Sequence, residues 1–421
     1  MRIWRVPYRK FGDGPGLARV AAIAKRLGIE LSRFGETGAV VVGSNGKGST
    51  AAMTASLLRQ SGRAVGLFTS PHLFDLNERF NIDGEDIGDE ELDRHWRRVA
   101  AAIEMEGLAN AIGGFEFLFL IAADWFAARK CAYTVWEAGI GGRHDPVRLI
   151  EAHRLAMTAL DLEHTELLGD TLEEIARDKL DAAPRGARVF VGASCAPQRL
   201  AMEAHCTERG ARVEWTAGFQ PTGAGGQDAG GPPPFEAPLR GEHQRENAAL
   251  ALALARDLCS SLSDEMATRG FAATHWPGRL EVINANPLVV IDVGHTPEAV
   301  RAALKGFEAM RGGSSGVLVC GASHDKKAQA LIGVLAPSFP TIICAAAQHK
   351  GTPAPAIAAY ASAANPSAEL AIAESVAEAR SLALARARAI GAAVYVAGGL
   401  FLAAEFKAVH LGRDPHTLAF F

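Results

Sequence analysis

The stretch Val40–Thr50 reads VVVGSNGKGST, an apolar run that breaks into a glycine-rich loop carrying one lysine and several hydroxyl groups. Glycines allow successive backbone N–H groups to turn toward phosphate oxygens, and a helix that starts there adds positive potential. The next segment, 51–59, is rich in helix-forming residues. The pattern therefore predicts a strand, a phosphate-binding loop and a helix. The predicted nucleotide-binding residues of this loop are Ser44, Asn45, Gly46, Lys47, Gly48, Ser49 and Thr50.

The loop departs from the generic P-loop pattern at two positions. Val41 stands where that pattern has its first glycine, and Gly48 separates Lys47 from the hydroxyl residue Ser49. A glycine-rich turn that binds no ligand is the alternative, but a lysine at this point of a strand-loop-helix unit contributes little to packing. We therefore expect a variant phosphate-binding loop in which Lys47 lies near the β- and γ-phosphates.

Composition limits the class of protein. The chain has 421 residues, 48% of them hydrophobic, and a formal net charge of −4, which favours two globular domains and argues against general nucleic-acid binding. The most hydrophobic run, 115–128, contains two acidic residues and is too short to span a bilayer, and the N-terminus lacks the apolar core of a secretory signal. Six cysteines occur singly, as is typical of reduced, mostly buried residues. We expect a cytoplasmic protein without a membrane or nucleic-acid partner.

Short apolar runs alternate with helix-forming segments along the chain. Near-continuous apolarity is typical of parallel strands that are covered on both faces. The predicted strands are 39–43, 64–69, 133–137, 155–160 and 187–192, followed after residue 285 by 288–293, 317–320, 341–344 and 394–396. Helices are also predicted at 171–179 and 245–262. This alternation predicts two α/β units.

Further motifs follow the glycine-rich loop in a fixed order. They are LFTSPHL at 67–73, NERF at 77–80, EAGIGGR at 137–143, DLEHTELLGDT at 161–171, HQ at 243–244, WPGRLE at 276–281 and DVGHTP at 292–297. Together with GSNGKGST at 43–50, this series resembles the folylpolyglutamate synthase and dihydrofolate synthase family of the Mur ligase superfamily. The resemblance extends from about residue 10 to about residue 410.

The resemblance implies an α/β fold of two domains and an ATP-dependent amide ligase. A Mur-ligase-like ATP-binding domain with a P-loop and a mostly parallel sheet would cover 1–275, with a Gly/Pro-rich insertion at about 217–234. A hinge at 276–284 would lead to a smaller Rossmann-like domain at 285–421 that binds the amino acid. In the implied reaction, ATP phosphorylates the terminal γ-carboxylate of a reduced folate, and the amine of L-glutamate attacks the acyl phosphate. A monomer is expected.

The resemblance also implies a metal site. Ser70, Glu137 and His164 lie at or just beyond the ends of predicted strands and match family positions that hold Mg²⁺. Taken singly, each has a structural alternative, namely a turn cap, a strand-end charge and a loop histidine. Lys179 matches a lysine whose carbamylation would supply a ligand for a second Mg²⁺, and a solvated helix lysine is the alternative. The chain departs from the family pattern directly afterwards, at 180–184.

The second half of the chain supplies further site candidates by resemblance. Asn247, Arg279 and Asp292 match ATP-binding positions, and Arg279 would reach the phosphates from the hinge, so that domain closure assembles the site. His295 matches a histidine near which the incoming amino acid binds, and with Lys47 and Lys179 it forms the candidate catalytic set. The family motif is DGAHNP where this chain has DVGHTP, which leaves the amino-acid selectivity open. A strand end with an exposed histidine is the alternative.

The departure with the largest expected consequence is HDPVR at 144–148, where the family usually has LDATN. Asp145 is kept, but Pro146 stiffens the loop and Arg148 adds a cation next to the pterin-binding position. An altered pocket with an anionic or atypical acceptor is therefore conceivable. Asp325-Lys326 belongs to another family-like strand-to-helix loop, and a surface charge pair is its alternative.

The main hypothesis is a ligase that uses ATP, two Mg²⁺ ions, L-glutamate and a reduced folate or dihydropteroate. One alternative is a Mur-superfamily ligase for a different carboxylic acid or amine. Another is a nucleotide-binding protein that has lost ligation. A general P-loop NTPase is a third, but it leaves the second domain and the motif around His295 unexplained.

Overall fold

The computed structural model describes residues 3–216, 237–324 and 327–420. The predicted insertion at 217–234 and the Asp325-Lys326 pair lie outside these residues. The described chain forms two α/β units, each with one mostly parallel sheet that has an apolar core on both faces. The predicted fold class is confirmed.

The first unit contains eight strands. They are β1 Gly38–Val42, β2 Val65–Phe68, β3 Phe80–Ile82, β4 Glu85–Asp86, β5 Tyr133–Glu137, β6 Arg154–Met157, β7 Arg188–Val191 and β8 Arg212–Trp215. Its helices are α1 Leu17–Arg26, α2 Lys47–Arg59, α3 Asp89–Met105, α4 Gly114–Ala128, α5 Thr165–Leu168, α6 Leu172–Leu180, α7 Arg199–Glu208, α8 Glu242–Leu258 and α9 Asp264–Ala272. Short 3₁₀ helices occur at Leu31–Phe34, Leu76–Arg79, Pro146–Ile150 and Ala193–Gln198.

The central strand of the first sheet carries the glycine-rich loop. The strand order is β4-β3-β2-β5-β1-β6-β7-β8, and only β3 and β4 run antiparallel to their neighbours. All five residues of β1 are buried, and successive side chains alternate between the two cores, with Val40 and Val42 on one face and Val41 on the other. Such burial on both faces explains the unbroken apolar sequence of β1. Strands β5 and β6 flank β1, so their carboxyl ends lie beside the loop.

The second unit follows the same principle with six strands. They are β9 Glu281–Ala285, β10 Leu288–Ile291, β11 Gly316–Cys320, β12 Thr341–Cys344, β13 Glu369–Ile372 and β14 Ala393–Ala397. Its helices are α10 Pro297–Arg311, α11 Ala328–Leu335, α12 Ala354–Ala364, α13 Val376–Ile390 and α14 Leu400–His410, with 3₁₀ helices at Ala336–Ser338 and Pro415–Thr417. The strand order is β13-β12-β11-β14-β10-β9, with β9 antiparallel. None of the helices described is long and apolar enough to cross a bilayer.

The predicted strands lie within three residues of observed ones, whereas several edge strands were not predicted. The strands that sequence reasoning missed are β3, β4, β8, β9 and β13. Most of them are short or only partly buried, so they lack the continuous apolar pattern of the central strands. The prediction of one helix over 245–262 was wrong at both ends, because α8 starts at Glu242 and ends at Leu258, and Ser263 caps α9. The predicted hinge at 276–284 overlaps the connection from α9 to β9, and its role as a hinge stays a prediction.

Candidate active site

The loop between β1 and α2 depends on two glycines. Gly43 and Gly46 have φ values of 140° and 85°, which residues with a side chain rarely adopt. A Cβ atom at Gly43 would collide with the Thr158 hydroxyl, and one at Gly46 would collide with the side chain of Asn247. The Thr158 hydroxyl also donates to the Asn45 carbonyl at 2.6 Å. The structure therefore places Asn247, on α8, against the predicted phosphate-binding loop.

The polar groups of this loop are suited to an anionic ligand. The Lys47 ammonium donates to the carbonyls of Gly43 at 2.9 Å and Ser44 at 3.3 Å, so it lies folded over the loop. Among the described residues, the hydroxyls of Ser49 and Thr50 are buried and have no hydrogen-bond partner. Buried hydroxyls without a partner are costly. Phosphate oxygens and a divalent cation would satisfy them, and the residues present therefore fit a metal-bound nucleotide.

The Glu137 carboxylate lies at the end of β5, directly beside this helix start. It is 4% exposed and accepts a hydrogen bond from the Ser70 N–H at 2.9 Å. A Cβ at Gly48 would lie 3.3 Å from the carboxylate and 2.7 Å from the Trp276 ring, so glycine gives the helix start access to both. Burial raises the pKa of Glu137, and neighbouring positive charges oppose that rise. These charges are Lys47, Arg279 and Arg79.

Lys179 points from α6 into the same loop. Its side chain is nearly fully buried, and its ammonium donates to the Gly43 carbonyl at 3.0 Å and to the Glu163 carboxylate at 3.1 Å. Burial and the charge of Lys47 lower the pKa of Lys179 to about 8, although Glu163 opposes them. Burial disfavours ionisation of Glu163, but Lys47 and Lys179 outweigh it and lower its pKa to about 2. The solvated-lysine alternative for Lys179 is therefore wrong.

His164 lies next to Glu163 at the start of α5. It adopts a left-handed conformation with φ of 48°, and its Nδ1 is 3.9 Å from a carboxylate oxygen of Glu166. The electrostatic influence of His164 helps to lower the pKa of Glu163. Within the described ranges, no three His, Cys, Asp or Glu side chains cluster closely enough to hold a metal ion. The Ser70 backbone and the Glu137 carboxylate are in contact, and the assignment of Ser70, Glu137 and His164 as a metal site stays a prediction.

Arg279, in the second sequence half, lies between the charges of two buried carboxylates, Asp292 and Glu137. Asp292 is 4% exposed and accepts hydrogen bonds from the N–H groups of Leu280 at 3.0 Å and Gly294 at 2.8 Å. Burial raises the pKa of Asp292, and the charge of Arg279 opposes that rise. Burial lowers the pKa of Arg279, while Asp292 and Glu137 oppose the decrease. Arg279 is thus electrostatically shared between Asp292 and Glu137.

A hydrogen bond joins the two facing loops. The Asn45 amide donates to the Thr296 hydroxyl at 3.1 Å, from the first domain to the second. Thr296 also caps α10, because its hydroxyl accepts from the Ala299 N–H at 3.2 Å. The half-buried His295 precedes this cap. The structure therefore brings the predicted amine-binding motif next to the glycine-rich loop.

Three residues of this site had no predicted role in binding or catalysis. Glu163 pairs with Lys179, Arg79 lies near Glu137, and Trp276 covers the start of α2 at Gly48. The sequence contained a signal for each, because all three belong to the quoted motifs DLEHTELLGDT, NERF and WPGRLE. A motif alone does not show which of its charged residues face the site.

Comparison with known proteins agrees with this geometry. Residues 278–400 match the family model "Mur ligase, glutamate ligase domain". The chain is 31% identical over 354 residues to the dihydrofolate synthase/folylpolyglutamate synthase of Bacillus subtilis, covering 79% of this chain and 81% of that protein. This chain belongs to the folylpolyglutamate synthase/dihydrofolate synthase family. The resemblance seen in the sequence motifs is confirmed.

The family contains longer proteins as well. A probable bifunctional folylpolyglutamate synthase/dihydropteroate synthase of Halobacterium salinarum is 33% identical over 426 residues, covering 95% of this chain and 50% of that protein. The chain thus spans about half the length of such relatives. Among solved structures, Mycobacterium tuberculosis folylpolyglutamate synthase complexed with ADP and AMPPCP superimposes with a TM-score of 0.86 at 26% identity, covering 95% and 96% of the two chains. The Yersinia pestis bifunctional synthase, complexed with AMPPNP and a Mn ion, gives 0.79 at 25% identity, covering 95% and 93%.

The loop that departs most from the folylpolyglutamate synthase pattern is anchored by its retained aspartate. The buried carboxylate of Asp145 accepts hydrogen bonds from the N–H groups of Gly139 at 2.9 Å, Ile140 at 3.2 Å and Val147 at 3.0 Å. Burial raises the pKa of Asp145 to about 7, although these hydrogen bonds oppose the rise. Pro146 opens the following 3₁₀ helix. Asp145 therefore shapes the loop that follows the Glu137 strand.

The two arginines of this region have local partners. Arg148 donates to the Arg143 carbonyl at 2.9 Å, and Arg143 pairs with Asp181 at 2.7 Å. Asp181 belongs to the segment after Lys179 that departs from the family pattern, and it also accepts from His205 at 2.9 Å. Asp181, in the segment 180–184, therefore joins the loop that contains Arg143 to the end of α6. An effect of Arg148 on the acceptor stays a prediction.

Proposed function

We propose that this chain is an ATP-dependent, ADP-forming ligase that adds L-glutamate to a folate through an acyl phosphate. The proposal depends on one observation, which is that unpartnered hydroxyls, a carboxylate and a guanidinium lie together at the end of the first sheet that carries the glycine-rich loop. The start of α2 carries the buried hydroxyls of Ser49 and Thr50, the Glu137 carboxylate lies beside it at Gly48, and the charge of Arg279 acts on that carboxylate. Family membership and the match to a glutamate ligase domain support the identity of the amine.

The first step is transfer of the γ-phosphoryl group to the folate carboxylate. Lys47 and the N–H groups at the start of α2 would bind the β- and γ-phosphates, and Arg279 would stabilise the charge that spreads over the transferred group. A divalent ion held by Ser70, Glu137 and His164 would supply further positive charge, consistent with the Mn ion in the Yersinia pestis relative. No side chain has to act as a covalent nucleophile, since the substrate carboxylate is the nucleophile.

The second step is attack of the glutamate amine on the acyl phosphate, which releases phosphate. His295 lies on the loop that the Asn45–Thr296 hydrogen bond holds against the glycine-rich loop. In this position His295 would orient the amine, and Asp292 would shape the loop through its two backbone hydrogen bonds. Holding both reactants in one cleft is the main source of rate acceleration in such a transfer.

Carbamylation of Lys179 and a second divalent ion form the finer part of the proposal. A pKa of about 8 leaves about a tenth of Lys179 as the neutral amine at pH 7, far more than for an ordinary lysine, and this is the form that adds CO₂ and releases a proton. The resulting carbamate would lie beside the Glu163 carboxylate, and two adjacent anions require a cation between them. ¹³C NMR of protein equilibrated with labelled CO₂ tests this, and the variant Lys179→Met should lack the carbamate signal.

The decisive experiment measures ADP release by the intact chain with ATP, Mg²⁺ and L-glutamate. Tetrahydrofolate, dihydropteroate and no acceptor are compared, and mass spectrometry identifies the products. A glutamate-extended folate is expected, and extension of dihydropteroate would add dihydrofolate synthase activity. ADP release without any acceptor would favour a general NTPase, and nucleotide binding without turnover would favour a protein that has lost ligation. Turnover only with other acids would identify a different ligase.

The remaining parts of the proposal concern the state of the protein. We expect small-molecule substrates only, a monomer and a cytoplasmic location. Light scattering of the purified chain tests the oligomeric state. A stable dimer would contradict the expectation of a monomer.

A further inference from the structure

The loop after Ser70 packs against the second domain. Leu73 is buried in an apolar core on one face of the second sheet, and Phe74 packs against this core. Asp75 forms an ion pair with Arg413 at 3.2 Å. The Phe74 ring lies 4.9 Å from the Arg413 guanidinium and 5.2 Å from the Lys407 ammonium. The segment 413–420, which follows α14, therefore holds the loop that carries Ser70.

His72 lies at the centre of this contact with both ring nitrogens engaged. It is 2% exposed, its Nδ1 receives a hydrogen bond from Arg79 Nε at 2.9 Å, and its Nε2 lies 3.0 Å from the Ala419 carbonyl oxygen. A guanidinium only donates and a carbonyl only accepts, so the proton must be on Nε2. The ring also stacks on Phe420 at 5.7 Å with an interplanar angle of 8°. Burial and the charge of Arg79 lower the pKa of His72 well below its usual value, so the ring is neutral.

Arg79 connects His72 to the candidate metal site. Its side chain is buried, and its charge interacts with the Glu137 carboxylate. Burial lowers the pKa of Arg79 to about 10, while Glu137 and Glu78 oppose the decrease, so the guanidinium stays charged at neutral pH. Hydrogen bonds thus link Arg79 through His72 to the Ala419 carbonyl, and the charge of Arg79 acts on the Glu137 carboxylate.

We propose that His72 is a positioning residue for the divalent ion of the nucleotide. It holds Arg79 in one orientation and ties it to the segment 413–420, so that the Glu137 carboxylate stays directed toward the ion. Without His72, the buried Arg79 Nε would lose its acceptor, and the guanidinium would turn toward Glu137 and compete with the metal. The inference rests on the proposed function, because the ion concerned is the one that accompanies ATP.

The test is the affinity of the intact chain for Mn²⁺ in the presence of AMPPNP, measured by electron paramagnetic resonance. His72→Ala should weaken Mn²⁺ binding by about tenfold, as is typical when a group that orients a metal ligand is removed. His72→Asn keeps an acceptor for Arg79 and should recover part of the affinity. Arg413→Ala is the matched control, because it breaks the same domain contact without touching His72.

Three outcomes would overturn the proposal. One is a folded His72→Ala variant with wild-type Mn²⁺ affinity. Another is an equal loss in Arg413→Ala, which would show a general effect of the domain contact. If His72→Ala does not fold, the decision passes to His72→Asn and Phe420→Leu, and unchanged Mn²⁺ affinity in both would contradict the proposal. Weaker affinity in Phe420→Leu would support it only if Arg413→Ala binds Mn²⁺ normally, because Phe420 stacks on His72 and also contacts the rings of His349 and Phe401.

The binding experiment also separates this inference from the proposed function. Mn²⁺ binding with AMPPNP requires neither folate nor glutamate. A wild-type chain that binds both but does not ligate would contradict the proposed function and leave the role of His72 intact. A ligating chain whose His72→Ala variant binds Mn²⁺ normally would contradict only the role of His72.

Discussion

The two strand-to-helix segments that face each other, 43–50 in the first unit and 292–296 in the second, use their polar groups in opposite ways. At the start of α2, the hydroxyls of Ser49 and Thr50 are buried without a partner among the described residues. In the second loop, the Asp292 carboxylate accepts two backbone N–H groups and the Thr296 hydroxyl caps α10.

This difference shows how two similar sequence patterns serve different purposes. A loop whose polar groups are satisfied internally keeps one shape without a ligand. A loop whose buried polar groups have no hydrogen-bond partner is less stable by itself. A ligand that supplies those hydrogen bonds binds more tightly and stabilises the loop. We infer that the first loop is built for the triphosphate and the second to present His295 in a fixed position.

The largest effect is expected for Lys47→Ala. Removal of the only side-chain cation within the first loop should lower the rate of ADP release by at least about 100-fold, as for loss of a group that stabilises the transition state. The fold should be retained, as judged by circular dichroism. Lys305→Ala, an exposed lysine on α10, is the control and should keep wild-type turnover. Ligation that persists in Lys47→Ala would contradict the assignment of the loop.

Asp292→Asn tests the internally satisfied loop. The carboxylate accepts from two backbone donors, and one of them would face the amide NH₂ group of asparagine. We expect the free energy of unfolding to fall by about 1–3 kcal/mol, measured by urea denaturation. Glu298→Gln on the exposed surface of α10 should change it little. Wild-type stability in Asp292→Asn would show that the second loop does not depend on these bonds.

Acid titration tests the charges beneath the first loop. Glu163 has a pKa of about 2 in the folded state against 4.5 ordinarily. Between these values the unfolded chain binds a proton that the folded chain does not, so the free energy of unfolding falls as the pH falls from about 4.5 to 2. The slope reaches at most about 1.4 kcal/mol per pH unit. Glu163→Gln should flatten this part of the plot of unfolding free energy against pH. The exposed variant Glu166→Gln is the control and should not change it. Equal plots for both variants would refute the pairing of Glu163 with Lys179.

The smallest effects come from a matched pair of threonines, one in each region. Thr296→Val removes the cap of α10 and should destabilise the chain by about 1 kcal/mol, whereas Thr296→Ser should not. Thr50→Val removes a buried hydroxyl without a partner, so stability should be unchanged or higher while ATP binding weakens. Differential scanning calorimetry measures the stability of each variant, and isothermal titration calorimetry measures its affinity for ATP. A loss of stability in Thr50→Val would show that its hydroxyl is satisfied within the protein.

Sequence reasoning recovered those parts of the fold and site that depend on local pattern. Strand β1 and the start of α2 follow from the apolar run 39–42 and the glycines after it. The edge strand β13 was missed, because its residues are only partly buried and show no continuous apolarity. Glu163 and Arg79 were not given a role, since nothing local distinguishes them from other charged residues of their motifs.

By itself, the sequence determined the α/β class, the position of the glycine-rich loop and the family. Those properties depend on residues that are close together in the chain or on the order of short motifs. Only the tertiary structure decided which polar groups are left for a ligand. The polar groups that are satisfied within the protein often have partners that are distant in sequence. Asn45 and Thr296 are 251 residues apart, and Lys179 and Gly43 are 136 residues apart. Whether a buried polar group is satisfied depends on such distant neighbours, and no local pattern contains that information.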